Sequence, residues 1–128
     1  MVGPVLKPPL DLQGDWKITA DFILNGKIDD PPPPQKFTLE FGVHQHGNDP
    51  YAGAYLYYHG KSIVAPGGVE SSYLAQVFSS TAGNMISMIQ HNDPYYATYC
   101  GYLDPSTGKI KGSWADIRGN SGDFLLEK

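Results

Sequence analysis

The chain has 128 residues, a length that suits one domain with one core, and its net charge of −4 rests on only nine Lys and Arg residues. Arg118 is the single arginine and no two basic side chains adjoin, so the sequence lacks the basic patch that nucleic acid or an anionic membrane surface would require. Hydrophobic residues make up 41%, and 15 glycines and 11 prolines are spread between the apolar runs, which points to many short strands joined by turns.

Residues 1–11 form a Pro-punctuated leader, expected to be flexible or strap-like. It has no uninterrupted apolar stretch of the kind a signal peptide carries, and nowhere do about eighteen apolar residues run together. A cytoplasmic protein without a membrane span is therefore expected. The first strand is predicted over Asp15–Leu24, where Trp16, Ile18, Ala20, Phe22 and Leu24 alternate with Asp15, Lys17, Thr19 and Asp21. Asn25-Gly26 is a hairpin-turn signal, and Pro31 to Pro34 make a stiff extended connection. Phe37–Gln45 alternates again. Further strands are predicted at Tyr51–His59, Ser62–Ala65, Ser72–Ser79, Met85–Gln90, Tyr95–Leu103, Lys109–Ile117 and Asp123–Glu127, separated by turn clusters. No helical apolar period persists.

Sequential short strands pair with their neighbours, and closure removes exposed edges. The expected fold is all-β: one domain over residues 1–128, a closed antiparallel up-and-down barrel of about eight strands.

Asn48-Asp49-Pro50-Tyr51 and Asn92-Asp93-Pro94-Tyr95 are identical, and further tyrosines follow at a constant offset, Tyr55 and Tyr58 matching Tyr99 and Tyr102. Asn-Asp-Pro is a good turn on its own, but the aligned tyrosines suggest two equivalent hairpins. With a four-residue loop in the first, Glu40, His44 and His46 share a face with Tyr51, Tyr55 and Tyr57, and the opposite face carries Phe37, Leu39, Phe41, Val43, Ala54, Leu56 and Tyr58. The same register in the second hairpin unites Ile86, Met88, Gln90, Tyr95, Ala97 and Tyr99. Equivalence then turns the tyrosine face into the barrel and the Phe37–Val43 ridge outward; the alternative is that the ridge is core and His44 and His46 face solvent. An outward apolar ridge needs a partner, so a homo-oligomer, dimer or tetramer, is expected. The lone Cys100 is expected to be a small buried hydrophobe.

Gly14-Asp15-Trp16, opening the first strand of an eight-stranded meander, resembles the Gly-x-Trp signature of the calycins, the lipocalin and avidin-like barrels. A second Gly-x-Trp, Gly112-Ser113-Trp114, lies in a late strand, where avidin-like barrels often carry an aromatic residue. The resemblance implies that Trp16 closes one barrel end against an arginine from near the last strands, for which Arg118 is the candidate. No lipocalin-type disulfide and no biotin-contact pattern accompany it, so the ligand class does not transfer.

The chemistry follows from the inward face. Nine tyrosines and two tryptophans offer flat rings with polar tips. A lumen lined by Tyr51, Tyr55, Tyr57, Tyr95, Tyr99, His46 and Met88 suits a small cyclic or aromatic ligand held without catalysis. Glu40 and His44 in the same lumen make an alternative, cofactor-independent acid–base enzyme of isomerase, cyclase or lyase type. A lectin-like surface at the Asn-Asp-Pro loops is a third reading. His44 and His46 with Glu40 could begin a metal site, but their spacing does not match the cupin motif and no nucleotide or phosphate fingerprint appears, so neither metal nor cofactor is expected.

Overall fold

The computed structural model describes residues 10–21, 23, 35–43, 55–63, 70–80 and 83–128. They form eight strands: β1 (Gly14–Ala20), β2 (Gln35–Val43), β3 (Tyr55–Ile63), β4 (Ser72–Ser80), β5 (Gly83–Asn92), β6 (Tyr95–Asp104), β7 (Lys109–Asp116) and β8 (Ser121–Glu127). Each pairs antiparallel with the next, and β1 pairs with β8, so the sheet closes into a barrel in simple meander order. The all-β closed barrel read from the alternation is the observed fold.

Two predicted strands, Tyr51–His59 and Ser62–Ala65, are one. Strand β3 runs through Gly60 because that position faces a ring: a Cβ there would lie 2.5 Å from Phe41 Cε1. Glycine marks a close approach here and not a turn.

Alternation sends one apolar set inward along each strand. Trp16, Ile18, Leu39, Phe41, Tyr58, Val77, Ile86, Met88, Ile110, Phe124 and Leu126 are all buried and fill one continuous core. Leu39 and Phe41 of the Phe37–Val43 ridge are therefore not outward, while the side chains of Phe37 and Val43 lie outside the described residues. Register explains the reversal: Trp16 pairs with Leu39 across β1 and β2, and directly opposed residues share a face. Once Trp16 is inside, Leu39 and Phe41 follow it, and Glu40 between them is exposed. The division of β2 and β3 into faces holds, since Phe41 pairs with Gly60 and the shift from the expected register is an even number of residues. Which face is inside does not. Tyr58 is 1% exposed whereas its counterpart in the sequence echo, Tyr102, is 67% exposed, so the two hairpins face opposite ways. The second turn is also shorter than expected. Asn92 pairs directly with Tyr95, leaving Asp93-Pro94, joined by a cis peptide bond, as a two-residue loop. Cys100 points outward between Tyr99 and Gly101 and is exposed, contrary to expectation.

The barrel end at the start of β1 is covered by chain. Leu12 is fully buried, the Trp16 indole N–H donates to Leu12 O at 2.9 Å, Leu10 N donates to Asn84 Oδ1 at 3.0 Å, and Tyr58 Oη donates to Leu10 O at 3.1 Å. Residues 10–12 thus lie as a strap across this end. The cation over Trp16 is Lys128, whose Nζ is 5.2 Å from the ring centroid and 3.0 Å from Gln13 O. Arg118, the candidate for that position, is at the opposite end of the barrel.

Replacing Gly60 by Ala should cost about 1–3 kcal/mol, because the Phe41 ring is buried and has little room to retreat. Thermal denaturation should show Tm falling by several degrees, and Phe41→Leu added to Gly60→Ala should recover part of the loss. An unchanged Tm for the single variant would contradict the packing described.

Candidate functional site

The polar residues of the interior collect at the end opposite the strap, where β4, β5, β6 and β7 each bring one or two. Tyr73 on β4 pairs with Gln90 on β5, Gln90 with Ala97 on β6, and Ala97 with Asp116 on β7. The small Ala97 leaves room between larger neighbours. One step deeper, Met88, Tyr99 and Trp114 pair in the same way.

Two hydrogen-bond chains run through this layer. In the first, Tyr99 Oη donates to Gln90 Oε1 at 2.7 Å and Gln90 Nε2 donates to Ser71 Oγ at 3.2 Å. Ser71 N in turn donates to Ser62 Oγ at 2.9 Å, and both serines are buried. In the second, Tyr95 Oη donates to Asp116 Oδ2 at 2.8 Å. Asp116 also accepts from Asn120 Nδ2 at 3.1 Å and from the backbone N–H groups of Arg118 and Asn120, both at 2.9 Å. One carboxylate therefore closes the β7–β8 turn and fixes a tyrosine at the barrel mouth. The Arg118 guanidinium carbon lies 5.1 Å above the Tyr95 ring on the outer side of that mouth.

Aromatic rings form the floor. Tyr99 stacks on Trp114 with centroids 6.0 Å apart, meets Phe124 edge-on at 5.3 Å and lies 6.4 Å from Tyr73. The Trp114 indole N–H donates to Asp21 O at 2.9 Å, passing over Gly122, where any Cβ would collide with the Asp21 carbonyl.

The electrostatics follow from burial. Desolvation raises the phenol pKa of Tyr73 and Tyr99 well above 10.0, with neighbouring tyrosines adding to the effect at Tyr73 and the Asp116 charge at Tyr99. Tyr95 is raised by desolvation, its bond to Asp116 and the charge of that carboxylate, against a smaller opposing pull from Arg118. For Asp116 burial favours the neutral acid, but hydrogen bonds from Tyr95, Asn120 and Arg118 outweigh it and hold the carboxyl below its ordinary value. At neutral pH the site contains an anion gripped by donors beside phenols that keep their protons.

Of the residues expected to line the lumen, the structure brings together Tyr95, Tyr99 and Met88: Tyr99 and Met88 are buried and Tyr95 half-buried. Glu40 is exposed on the outer face, paired across the sheet with Asp15 and Lys61, and so does not face the interior as expected. His44, His46 and Tyr51 lie outside the described residues, as do the side chains of Tyr55 and Tyr57. Tyr73, Ser71, Trp114 and Asp116 were not singled out from the sequence as site residues, and Gln90 was placed on the inward face without a role. A signal for two of them exists. Extending the alternation of Lys109–Ile117 from Ile110 through Trp114 puts Asp116 on the inner face, and Asp116 with Asn120 four residues on is a turn-closing pattern. Among the described residues no group of three or more His, Cys, Asp or Glu side chains is arranged to hold a metal ion.

The chain matches no protein-family profile, and neither curated proteins nor solved structures gave a significant match. The closed eight-stranded antiparallel barrel is thus the class the fold defines, and the site is read from its own geometry.

Two pH effects should follow. Tyr73, Tyr95 and Tyr99 have raised folded-state pKa values, so the stability they contribute is full below pH 10.0, the unfolded value, and is lost as pH rises towards the folded ones. Tyrosinate absorbance should rise in two stages, with the buried set ionising only as the barrel unfolds. For Asp116 the sign reverses: its contribution is present above 3.8, the unfolded value, and is lost as pH falls through the lower folded value. Asp116→Asn should therefore lower stability at neutral pH and flatten the acid limb of a stability–pH curve.

Proposed function

We propose that the protein binds a small cyclic or aromatic organic molecule at the unstrapped end of the barrel, without covalent chemistry. The observation that carries this reading is the pair of hydrogen-bond chains, Tyr99–Gln90–Ser71 and Tyr95–Asp116–Asn120, built above a floor of stacked rings inside an otherwise apolar barrel. A barrel that needed only a core would have no use for side chains as polar as Gln90 and Asp116 at these inward-facing, part-buried positions. Polar groups converging on aromatic faces at a barrel mouth are the ordinary make-up of a small-molecule site. The ligand packs at the mouth beside the half-buried Tyr95, above the buried Tyr99 and Trp114 rings, and meets the oxygen atoms of Tyr95 and Asp116 at its edge.

The calycin resemblance supports the same reading. Gly14-Asp15-Trp16 opens the first strand, and the Trp16 indole is capped by the strap and by a cation from the end of the last strand, Lys128 taking the part expected of Arg118. The acid–base alternative has lost one of its two residues from the interior, as Glu40 is on the outer surface.

Native mass spectrometry of the purified protein tests for a retained molecule. Binding of 2-naphthol, a neutral aromatic fluorophore with a hydroxyl on its rim, gives a titratable readout. Tyr95→Phe should weaken it about tenfold, equivalent to about 1.4 kcal/mol, whereas Tyr102→Phe on the outer surface should leave it unchanged. Equal effects of the two substitutions, or no retained molecule and no binding, would refute the site.

A further inference from the structure

The outer surface of the barrel is divided sharply by charge. Outward positions on β1, β2, β3, β7 and β8 carry Lys17, Glu40, Lys61, Lys111 and Asp123 among others, all exposed. No Asp, Glu, Lys or Arg occupies β4 or β5, and on β6 the first is its terminal residue Asp104. The large apolar residues with the greatest exposure among those described are Leu74, Ile89, Tyr96, Tyr102 and Ile117, and all five lie on this face or at its margin. Leu74, Ile89, Tyr96 and Ile117 are neighbours at one end of the face, and Tyr102 lies further along β6, beyond Cys100. Leu74 pairs with Ile89, Ile89 with Thr98 and Thr98 with Ala115, while the His91 ring stacks on Tyr96 at 4.8 Å and Ile117 N bonds to Tyr96 O. A shallow groove of about 280 Å³ runs between His59, Leu74, Ile89 and Tyr96.

We propose that this β4–β6 face is the surface on which a second copy of the chain docks, in a two-fold symmetric dimer. Two arguments select that occupant. The closed barrel leaves no strand edge to which a partner could add, so contact must be face to face. A two-fold contact sets a patch against itself, and for a chain of net charge −4 an uncharged patch is the one that meets its own image without like charges opposing. The size sets the strength. The three uncharged strands, about 4.8 Å apart and about seven residues long at about 3.3 Å each, give a footprint of roughly 330 Å². A stable interface buries about 800 Å² per partner, so a weak dimer dissociating at about 100 µM is expected. Leu39, Phe41 and Tyr58, from the ridge on which self-association was expected on sequence grounds, belong to the core.

The native thiol reports on the face directly. Cys100 is exposed midway along β6, within the face, paired across the sheet with Ser87 and Ser113. Sedimentation velocity of the whole chain from about 1 µM to about 500 µM, a range spanning weak interfaces, should show a shift from one towards two chain masses. Over the same range the alkylation rate of Cys100 should fall several-fold. Ile89→Lys, or Thr98→Lys should the first variant fail to fold, should weaken association at least tenfold and restore fast alkylation at high concentration. The proposal is overturned if the wild type stays monomeric to the top of the range with a concentration-independent alkylation rate. It is equally overturned if both lysine variants still dimerise, or if the monomer instead floats with phosphatidylcholine vesicles, which would assign the face to a lipid surface.

Discussion

Because β1 hydrogen-bonds to β2 on one side and to β8 on the other, every strand has two neighbours, and a residue's side of the wall is set by whatever stands opposite it. Trp16 and Ile18, placed inside, oblige Leu39 and Leu126 to be inside as well. That commitment passes from strand to strand around the ring and returns to its start. Face assignment in an open sheet can be decided locally; in a closed one all eight strands must agree. Leu39 and Phe41 on β2 are consequently core, whatever their resemblance to an outward ridge.

Within that frame the two ends of the barrel do different things. At the strapped end the polar groups are few and each bonds to backbone, as Trp16 does to Leu12 and Tyr58 to Leu10, so the chain closes on itself. At the other end the polar groups bond chiefly to one another and to the turn after β7, and they surround aromatic rings. The difference lies in what the hydrogen bonds hold. Backbone partners hold a plug in place, whereas side-chain partners hold other side chains in fixed orientations.

The fold was legible because period-two alternation survives in nearly every strand, and because the turn clusters fall where the strands end. Direction was harder. Tyr58 and Tyr102 occupy matching positions in a repeated sequence, yet one is core and the other surface, since a repeat carries no information about which face its neighbours have already claimed. The pairing of Trp16 with Leu39 decides it, and that is a fact about two strands and not one. The same holds for the site. Tyr95, Tyr99 and Met88 were found because they share a short hairpin with Ile86. Ser71, Gln90 and Tyr99 form one chain of bonds across three strands, and Asp116 meets Tyr95 from a fourth, so no window of sequence contains the arrangement.

The protons in those two chains are already committed. A phenol has one hydrogen to give; Tyr99 gives it to Gln90 and Tyr95 gives it to Asp116, and burial keeps both from dissociating. What the two oxygens have left is lone pairs, and the carboxylate beside them can only accept. The mouth of the barrel therefore has a polarity of its own, in which two tyrosines that look amphoteric on paper behave as acceptors. A molecule that complements it does so by bringing hydroxyl or N–H groups on the rim of a flat ring, and one whose rim carries only carbonyl oxygens meets lone pair against lone pair.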